Sequence, residues 1–323
     1  MKEVARVAGV SLATVSRVVN GTGEVRDDLA ERVNEAVRML GYRRDLTAST
    51  LRRADRQSAS IGLIIEDVSN PFFSAVHRGV EDVARPRGVL TFVGSSDEQP
   101  ERERELAETF GARGVDGLVI VPCAPDQSYL MRDRDAGTAL VFVDRPPRFM
   151  PGHAVVSDNV GGALRAVEHL VAAGHTRIAF LGDRLDVFTA QERQAGYRRA
   201  LGGRPVIERT ELFSSELGYA ATLDVMQSDD PPTALFTGQN LITIGAIRAL
   251  RSLGLQREVA LVGFDDITLG DLVDPGITVV AQDPHTMGRH AGELLFAREA
   301  EPRRVVVPTR LIERGSGEIP ALR

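Results

Sequence analysis

At 323 residues, 43% of them hydrophobic and 26% charged, the chain is too long for one ordinary core and apolar enough to build two or three. Its formal net charge of −6 excludes a protein wrapped in nucleic acid. The charge is uneven, though: the first 60 residues hold 11 basic and 8 acidic side chains and the rest is acidic, which suits local DNA contact by one small domain. Cys123 stands alone, the six histidines lack metal-ligand spacing, no apolar run approaches the roughly 18 residues of a membrane span, and no signal-peptide pattern opens the chain. A cytoplasmic protein without metal or cofactor is therefore expected.

The N-terminal stretch from Val4 to Asn20 reads as two short helices joined at a glycine. Val4, Val7 and Ala8 share one face, Gly9 can take the left-handed conformation that ends a helix, and Ser11 can cap the next. Val15, Val18 and Val19 form the buried stripe of the second helix, while Leu12, Ala13, Ser16 and Arg17 point outward. Spacing alone fits either an ordinary helical hairpin or a helix-turn-helix whose second helix enters the major groove. The run Val-Ala-x-x-Ala-Gly-Val-Ser-x-Ala-Thr-Val-Ser-Arg-Val-x-Asn, as it stands here, closely resembles the DNA-binding headpiece of the lactose-repressor and galactose-repressor family. The resemblance implies DNA contact through Ser11, Leu12, Ala13, Thr14, Ser16, Arg17 and Asn20.

After the Asn20–Gly23 turn, Asp27 or Asp28 can cap a third helix, with Glu31 completing a capping box. Leu29, Val33, Ala36, Val37 and Leu40 give it an inward stripe, and Gly41 stops it. Residues 1–44 are thus expected to be a three-helix head, and residues 45–60 a polar, basic linker too weakly apolar to hold a helix alone. The resemblance makes that linker a hinge that orders on operator DNA, with Ser49 contacting DNA and Leu51 wedged into the minor groove. Arg26 stands where relatives carry serine, Leu29-Ala30 where they carry Thr-Arg, and Arg44-Asp45 where they carry Pro-Asn.

From Ile61 onward, short apolar runs alternate with helical patterns: Ile61–Ile65, Val89–Val93, Gly117–Val121, Ala139–Val143, Ile178–Gly182, Ala234–Phe236 and Ala260–Phe264. Such runs read as fully buried parallel strands in doubly wound α/β sheets. A break near Val156–Asn159 divides the body into two similar lobes, the first expected at about 61–156 with 285–308 and the second at about 157–284 with 309–323. The resemblance extends over this core, which is similar to periplasmic ribose-type binding proteins.

Ligands of open parallel sheets bind beyond the carboxyl ends of the strands. Polar and aromatic residues recur there: Asn70, Phe72 and Phe73, Asp144 and Arg145, Asp265 and Asp266, Gln282 and Asp283, with Arg193 early in a helix on the same side. Each alone could be a helix cap or a local ion pair. Together they offer carboxylates and carboxamides for hydroxyls, a guanidinium clamp, and rings for the apolar face of a sugar. In the family, Asn70, Phe72, Phe73, Asp144, Arg145, Arg193, Asp265 and Gln282 match sugar-contacting positions, and Phe213 matches an aromatic that closes the pocket. Gln239-Asn240 stands where relatives carry Asn-Asp, so a sugar-contacting carboxylate is replaced.

No nucleophile elbow, phosphate loop or dinucleotide fingerprint supports an enzyme. A transport-type sugar binder explains the body but not the head. The expectation is a homodimeric, ligand-controlled transcriptional regulator of repressor type that reads a near-palindromic operator and senses a small sugar-like effector.

Overall fold

In this computed structural model, which describes residues 1–20, 23–42 and 58–321, the chain divides into two units, Met1–Ser58 and Ala59–Arg323. The hinge positions Ser49 and Leu51 lie outside the described residues.

The first unit contains α1 (Lys2–Ala8), α2 (Leu12–Asn20) and α3 (Asp27–Met39). Gly9 ends α1 at φ 61°, and the Thr14 N–H donates to Ser11 Oγ at 3.0 Å to start α2. Val4, Ala8, Val15, Val33 and Ala36 fill the centre, ringed by Val10, Val18, Val19 and Val37. Three short helices cover only the side chains where their axes converge. Val7 and Leu40, expected inside, are therefore 38% and 37% exposed. The start of α3 also departs from expectation. Its N-cap is Arg26, without a side-chain cap bond, and Asp28 instead pairs with Arg26 at 2.6 Å. Arg32 ties α3 back to the end of α1, donating to the carbonyls of Ala8 (2.6 Å) and Gly9 (3.3 Å), where a cation complements the helix dipole.

In the second unit, β1 (Ser60–Ile65), β2 (Leu90–Ser95), β3 (Gly117–Ile120), β4 (Ala139–Val143), β5 (His153–Ser157) and β11 (Arg304–Val307) form an all-parallel sheet, in the order β11-β5-β4-β3-β1-β2. The second sheet repeats the plan with β6 (Ile178–Leu181), β7 (Ile207–Arg209), β8 (Ala234–Thr237), β9 (Ala260–Phe264), β10 (Thr278–Ala281) and an antiparallel β12 (Arg310–Ile312), ordered β12-β10-β9-β8-β6-β7. Helices cover both faces. In the first lobe α4 (Pro71–Ala84) and α11 (Pro284–Ala297) lie on one side and α5 (Pro100–Ala112) on the other. A short helix, α6 (Met131–Asp135), precedes β4. In the second lobe α7 (Asn159–Ala172) and α8 (Phe188–Leu201) oppose α9 (Ser215–Met226) and α10 (Asn240–Leu253).

Central strands are buried on both faces, which is why they read as unbroken apolar runs. Edge strands are the exception, β2 and β11 in the first sheet. Leu90 and Phe92 are 61% and 40% exposed because a strand paired on one side lacks full cover. The equally marginal β7, Ile-Glu-Arg, was not among the expected strands because three residues carry no usable period.

The chain passes between the sheets near residues 158, 283 and 308. Two of these crossings are pinned by side-chain caps: Asp158 accepts from Gly161 N at 2.9 Å to start α7, and Asp283 accepts from Thr286 N at 2.9 Å to start α11. The pair α4 and α11 packs unusually close, since a Cβ on Gly79 would stand 2.1 Å from the His285 carbonyl oxygen and one on Gly288 would stand 2.0 Å from that of Val76.

Candidate effector cleft and DNA-reading helix

On the head, Leu12, Ala13 and Arg17 are exposed along α2, with Thr14 and Ser16 half-buried beside them. Leu12 is 46% exposed despite being apolar. Ser11 both caps α2 and bonds the Thr14 hydroxyl at 2.9 Å, so the N-terminal turn is rigid. Arg17 makes no ion pair or hydrogen bond among the described residues, and Asn20 closes the helix. A narrow helix with its N-terminal side chains uncovered has the dimensions and chemistry to enter a DNA major groove.

In the body, β1 and β6 are the strands from which each sheet is wound in both directions, and such switch points open a crevice at the carboxyl ends. Loops from both lobes meet there around a cavity of about 50 Å³, lined by Glu66, Asn70, Phe72, Phe73, Asp144, Arg145, Asp183, Thr189, Arg193, Gln239, Asn240, Asp265 and Gln282. Ten residues expected from the sequence converge in this wall. That volume holds only a few water molecules, so a monosaccharide requires the lobes to part about the three crossings.

Each side chain is set by its element. Asn70 caps α4, accepting from Phe72 N at 3.1 Å, which brings Phe72 and Phe73 into the first turn with rings 5.0 Å apart at 88°. Asp144 and Asp265 are equivalent: each directly follows its strand, β4 or β9, in the left-handed conformation, with φ of 70° and 72°. Each backbone N–H is fixed by the neighbouring strand, Asp144 to Val155 O at 2.8 Å and Asp265 to Val280 O at 2.9 Å. Non-glycine residues adopt that conformation at a cost, and aspartate tolerates it better than most. Gln239 caps α10, and the Asn240 carboxamide donates across the cleft to Asn70 Oδ1 at 3.0 Å.

Both clamp arginines are held in place. Arg193 Nε donates to Asn159 Oδ1 (2.9 Å) and Nη1 to the Gly238 carbonyl (2.7 Å), its Cζ lies 4.0 Å from the Phe264 ring centroid, and Asp265 Oδ2 is 3.8 Å from Nη1. Gln282 donates to Asp265 Oδ1 at 2.5 Å. Arg145 Nη2 contacts Glu98 at 2.6 Å and Glu66 at 3.2 Å, and its Nε lies 3.4 Å from Asp144. Although burial opposes its charge, Glu98 and Asp144 hold the Arg145 guanidinium above its ordinary range. Burial, reinforced by the charge of Glu98, pushes the Glu66 carboxyl up to about 8. Burial also acts on Glu98, but the charge and hydrogen bond of Arg145 outweigh it and keep Glu98 below the usual range. Burial pushes Asp144 and Asp183 up.

Phe213 is not brought into the wall. It lies between β7 and α9, 56% exposed, with the Arg184 guanidinium 5.8 Å from its ring centroid. Sequence reasoning passed over Glu66, Asp183 and Thr189. Glu66 follows Ile65 directly, so the rule that selected the other strand-end residues also pointed to it. Asp266, which the same rule selected, turns away to pair with Arg314 at 2.6 Å. Asp283 is likewise engaged as the cap of α11. A larger cavity, about 400 Å³, opens at the opposite ends of β4 and β5, but Leu140, Val141, Leu294 and Leu295 form much of its wall and it lies away from the strand carboxyl ends.

A groove-sized helix on one unit and a polar crevice between two α/β lobes on the other define a ligand-responsive DNA-binding regulator. Residues 1–45 match the family described as bacterial regulatory proteins, lacI family, and residues 167–317 match a periplasmic binding protein-like domain. The ribose operon repressor of Escherichia coli (strain K12) is 32% identical over 330 residues, covering 98% of this chain and 99% of the relative. A crystal structure of the Lac repressor dimer bound to operator and the anti-inducer ONPF aligns with TM-score 0.86 and 27% identity, covering 97% of both chains. A LacI family regulator from Enterococcus faecium, solved with bound ribose, aligns with TM-score 0.73 and 26% identity, covering 82% of this chain and all of that one (100%). The chain belongs to the LacI family and is a ligand-controlled, DNA-binding transcriptional regulator.

Proposed function

We propose that this regulator is a cytoplasmic, homodimeric repressor, without enzymatic activity, whose hold on a near-palindromic operator is set by a polyol bound between the lobes. Ser11, Leu12, Ala13, Thr14, Ser16, Arg17 and Asn20 are the DNA-reading set: Arg17 addresses a guanine, and Leu12 and Ala13, lacking hydrogen-bonding groups, meet thymine methyls. Asn70, Phe72, Phe73, Asp144, Arg145, Arg193, Gln239, Asn240, Asp265 and Gln282 are the effector set.

The observation that carries this reading is the convergence of those ten side chains from both lobes on one cavity. Four of the six buried side-chain polar atoms without a hydrogen bond among the described residues also lie there or beside it: Glu98 Oε1, Arg145 Nε, Arg184 Nε and Gln282 Oε1. All but Gln282 take part in ion pairs. Gln282 Oε1, with neither a hydrogen bond nor an ion pair among the described residues, is left over as an acceptor for a hydroxyl. Effector binding changes DNA affinity only through its differential affinity for two arrangements of the lobes.

The test is binding of full-length protein to inverted-repeat duplexes by fluorescence anisotropy, with and without sugars. A salt-sensitive preference over random duplex, altered by a sugar that also raises the melting temperature, is the expected result. Equal affinity for all duplexes under every condition would refute it.

A further inference from the structure

Glu66 and Asp183 occupy corresponding strand ends in the two lobes, Glu66 the first residue after β1 and Asp183 the second after β6, and both line the cleft. The cleft and its rim gather five carboxylates, Glu66, Glu98, Asp144, Asp183 and Asp265, against three guanidiniums, Arg145, Arg184 and Arg193. All three arginines are engaged: Arg145 by Glu66, Glu98 and Asp144, Arg184 by Glu98 at 3.0 Å, and Arg193 by Asn159, Gly238 and Asp265. Asp183 makes no ion pair among the described residues. It accepts only from the Arg184 backbone N–H (2.7 Å) and from Gln239 Nε2 (3.1 Å). Surplus carboxylates in a partly buried crevice are costly until a proton or a cation offsets them.

We propose that the effector is a cationic polyol, an amino sugar or amino alditol, whose ammonium sits between Glu66 and Asp183. The inference rests on the polyol reading of the cleft and adds the charge. The hydroxyls fall to Asn70, Arg193, Asp265 and Gln282, and the apolar face of the ring falls to Phe72. A phosphorylated sugar meets the opposite field and is rejected. In the empty cleft the Glu66 carboxyl, facing Glu98 and Arg145 on its own lobe and Asp183 across the gap, keeps its proton at neutral pH. Entry of the ammonium releases that proton to solvent.

The experiment compares D-glucosamine and D-galactosamine with their parent hexoses, their N-acetyl forms and glucose 6-phosphate, by thermal shift and calorimetry on the full chain. At least one amino sugar is expected to bind ten-fold or more tightly than both its parent and its N-acetyl form, with proton release visible as a buffer-dependent heat. The Glu66→Gln/Asp183→Asn double variant, checked for an unchanged circular dichroism spectrum, loses that advantage while retaining the parent hexose. Should the double variant fail to fold, Asp183→Asn alone carries the comparison, with a smaller loss. An amine no better than its parent, or an advantage that survives the substitutions, overturns the inference. If neutral sugars bind and amines gain nothing, only the charge is wrong. If no sugar of any kind raises the melting temperature, the polyol reading falls with it.

Discussion

Asn70 and Asn240 meet across the cleft, Asn240 Nδ2 donating to Asn70 Oδ1 at 3.0 Å, and this one bond joins the cap of α4 in the first lobe to the start of α10 in the second. Asn240 Oδ1 meanwhile accepts from Leu241 N at 2.8 Å. Asn240→Asp keeps that acceptor and removes the donor. It should leave the melting temperature nearly unchanged while weakening the closed, empty arrangement by about 1 kcal/mol, and since the effector needs the lobes to part, effector affinity should rise roughly five-fold by calorimetry. An unaltered affinity would mean that the bond does not hold the lobes together.

Arg17→Ala is expected to relax operator preference by about 1 to 3 kcal/mol while leaving the effector-induced thermal shift intact. Footprints indistinguishable from wild type would remove Arg17 from base reading.

Arg193→Ala leaves Asp265 without its nearest cation and Gly238 O without a donor. Effector binding should drop by at least a hundred-fold, about 3 kcal/mol, the scale of a hydrogen bond to a charged group together with the buried partner it leaves behind. A variant that still gives the full thermal shift would clear Arg193 of ligand contact.

Gly79→Ala brings a methyl within 2.1 Å of the His285 carbonyl oxygen, an approach that neither backbone can relieve cheaply. Overpacking there should destabilise the first lobe by about 1 to 3 kcal/mol in urea denaturation. The exposed-helix change Arg289→Ala serves as a near-neutral control, and equal midpoints for the two would contradict the close packing of α4 on α11.

The Glu66 carboxyl, raised to about 8 by burial first and by Glu98 second, binds a proton in the folded state that the unfolded chain releases near its ordinary 4.5. The stability it contributes is therefore complete below that value and is lost as pH rises toward 8, with a slope of at most about 1.4 kcal/mol per pH unit. Glu98, held low by Arg145, works in the opposite sense and in a more acidic window: its contribution is present above its unfolded value and lost as pH falls through the folded one. Glu66→Gln should flatten the decline in urea midpoint across the neutral range. An undiminished slope would assign the decline to other groups.

Local chemistry along the chain was enough to specify the glycine-turned helix pair, the alternation of apolar strands with helices and the polar residues beyond strand ends. Each of those signals involves neighbours a few residues apart, and periodicity, caps and turns act over that range. Gly9, Ser11 and Val15 behave as their spacing demands. Folding alone decided that Phe213 stays outside, that Leu90 and Phe92 lie on an open edge, and that Glu66 and Asp183 line one cleft. Those outcomes follow from which loops of two separate sheets are brought together, across more than a hundred residues of chain. Charge balance in a crevice is a property of that meeting and of the water it excludes, and no single segment carries it.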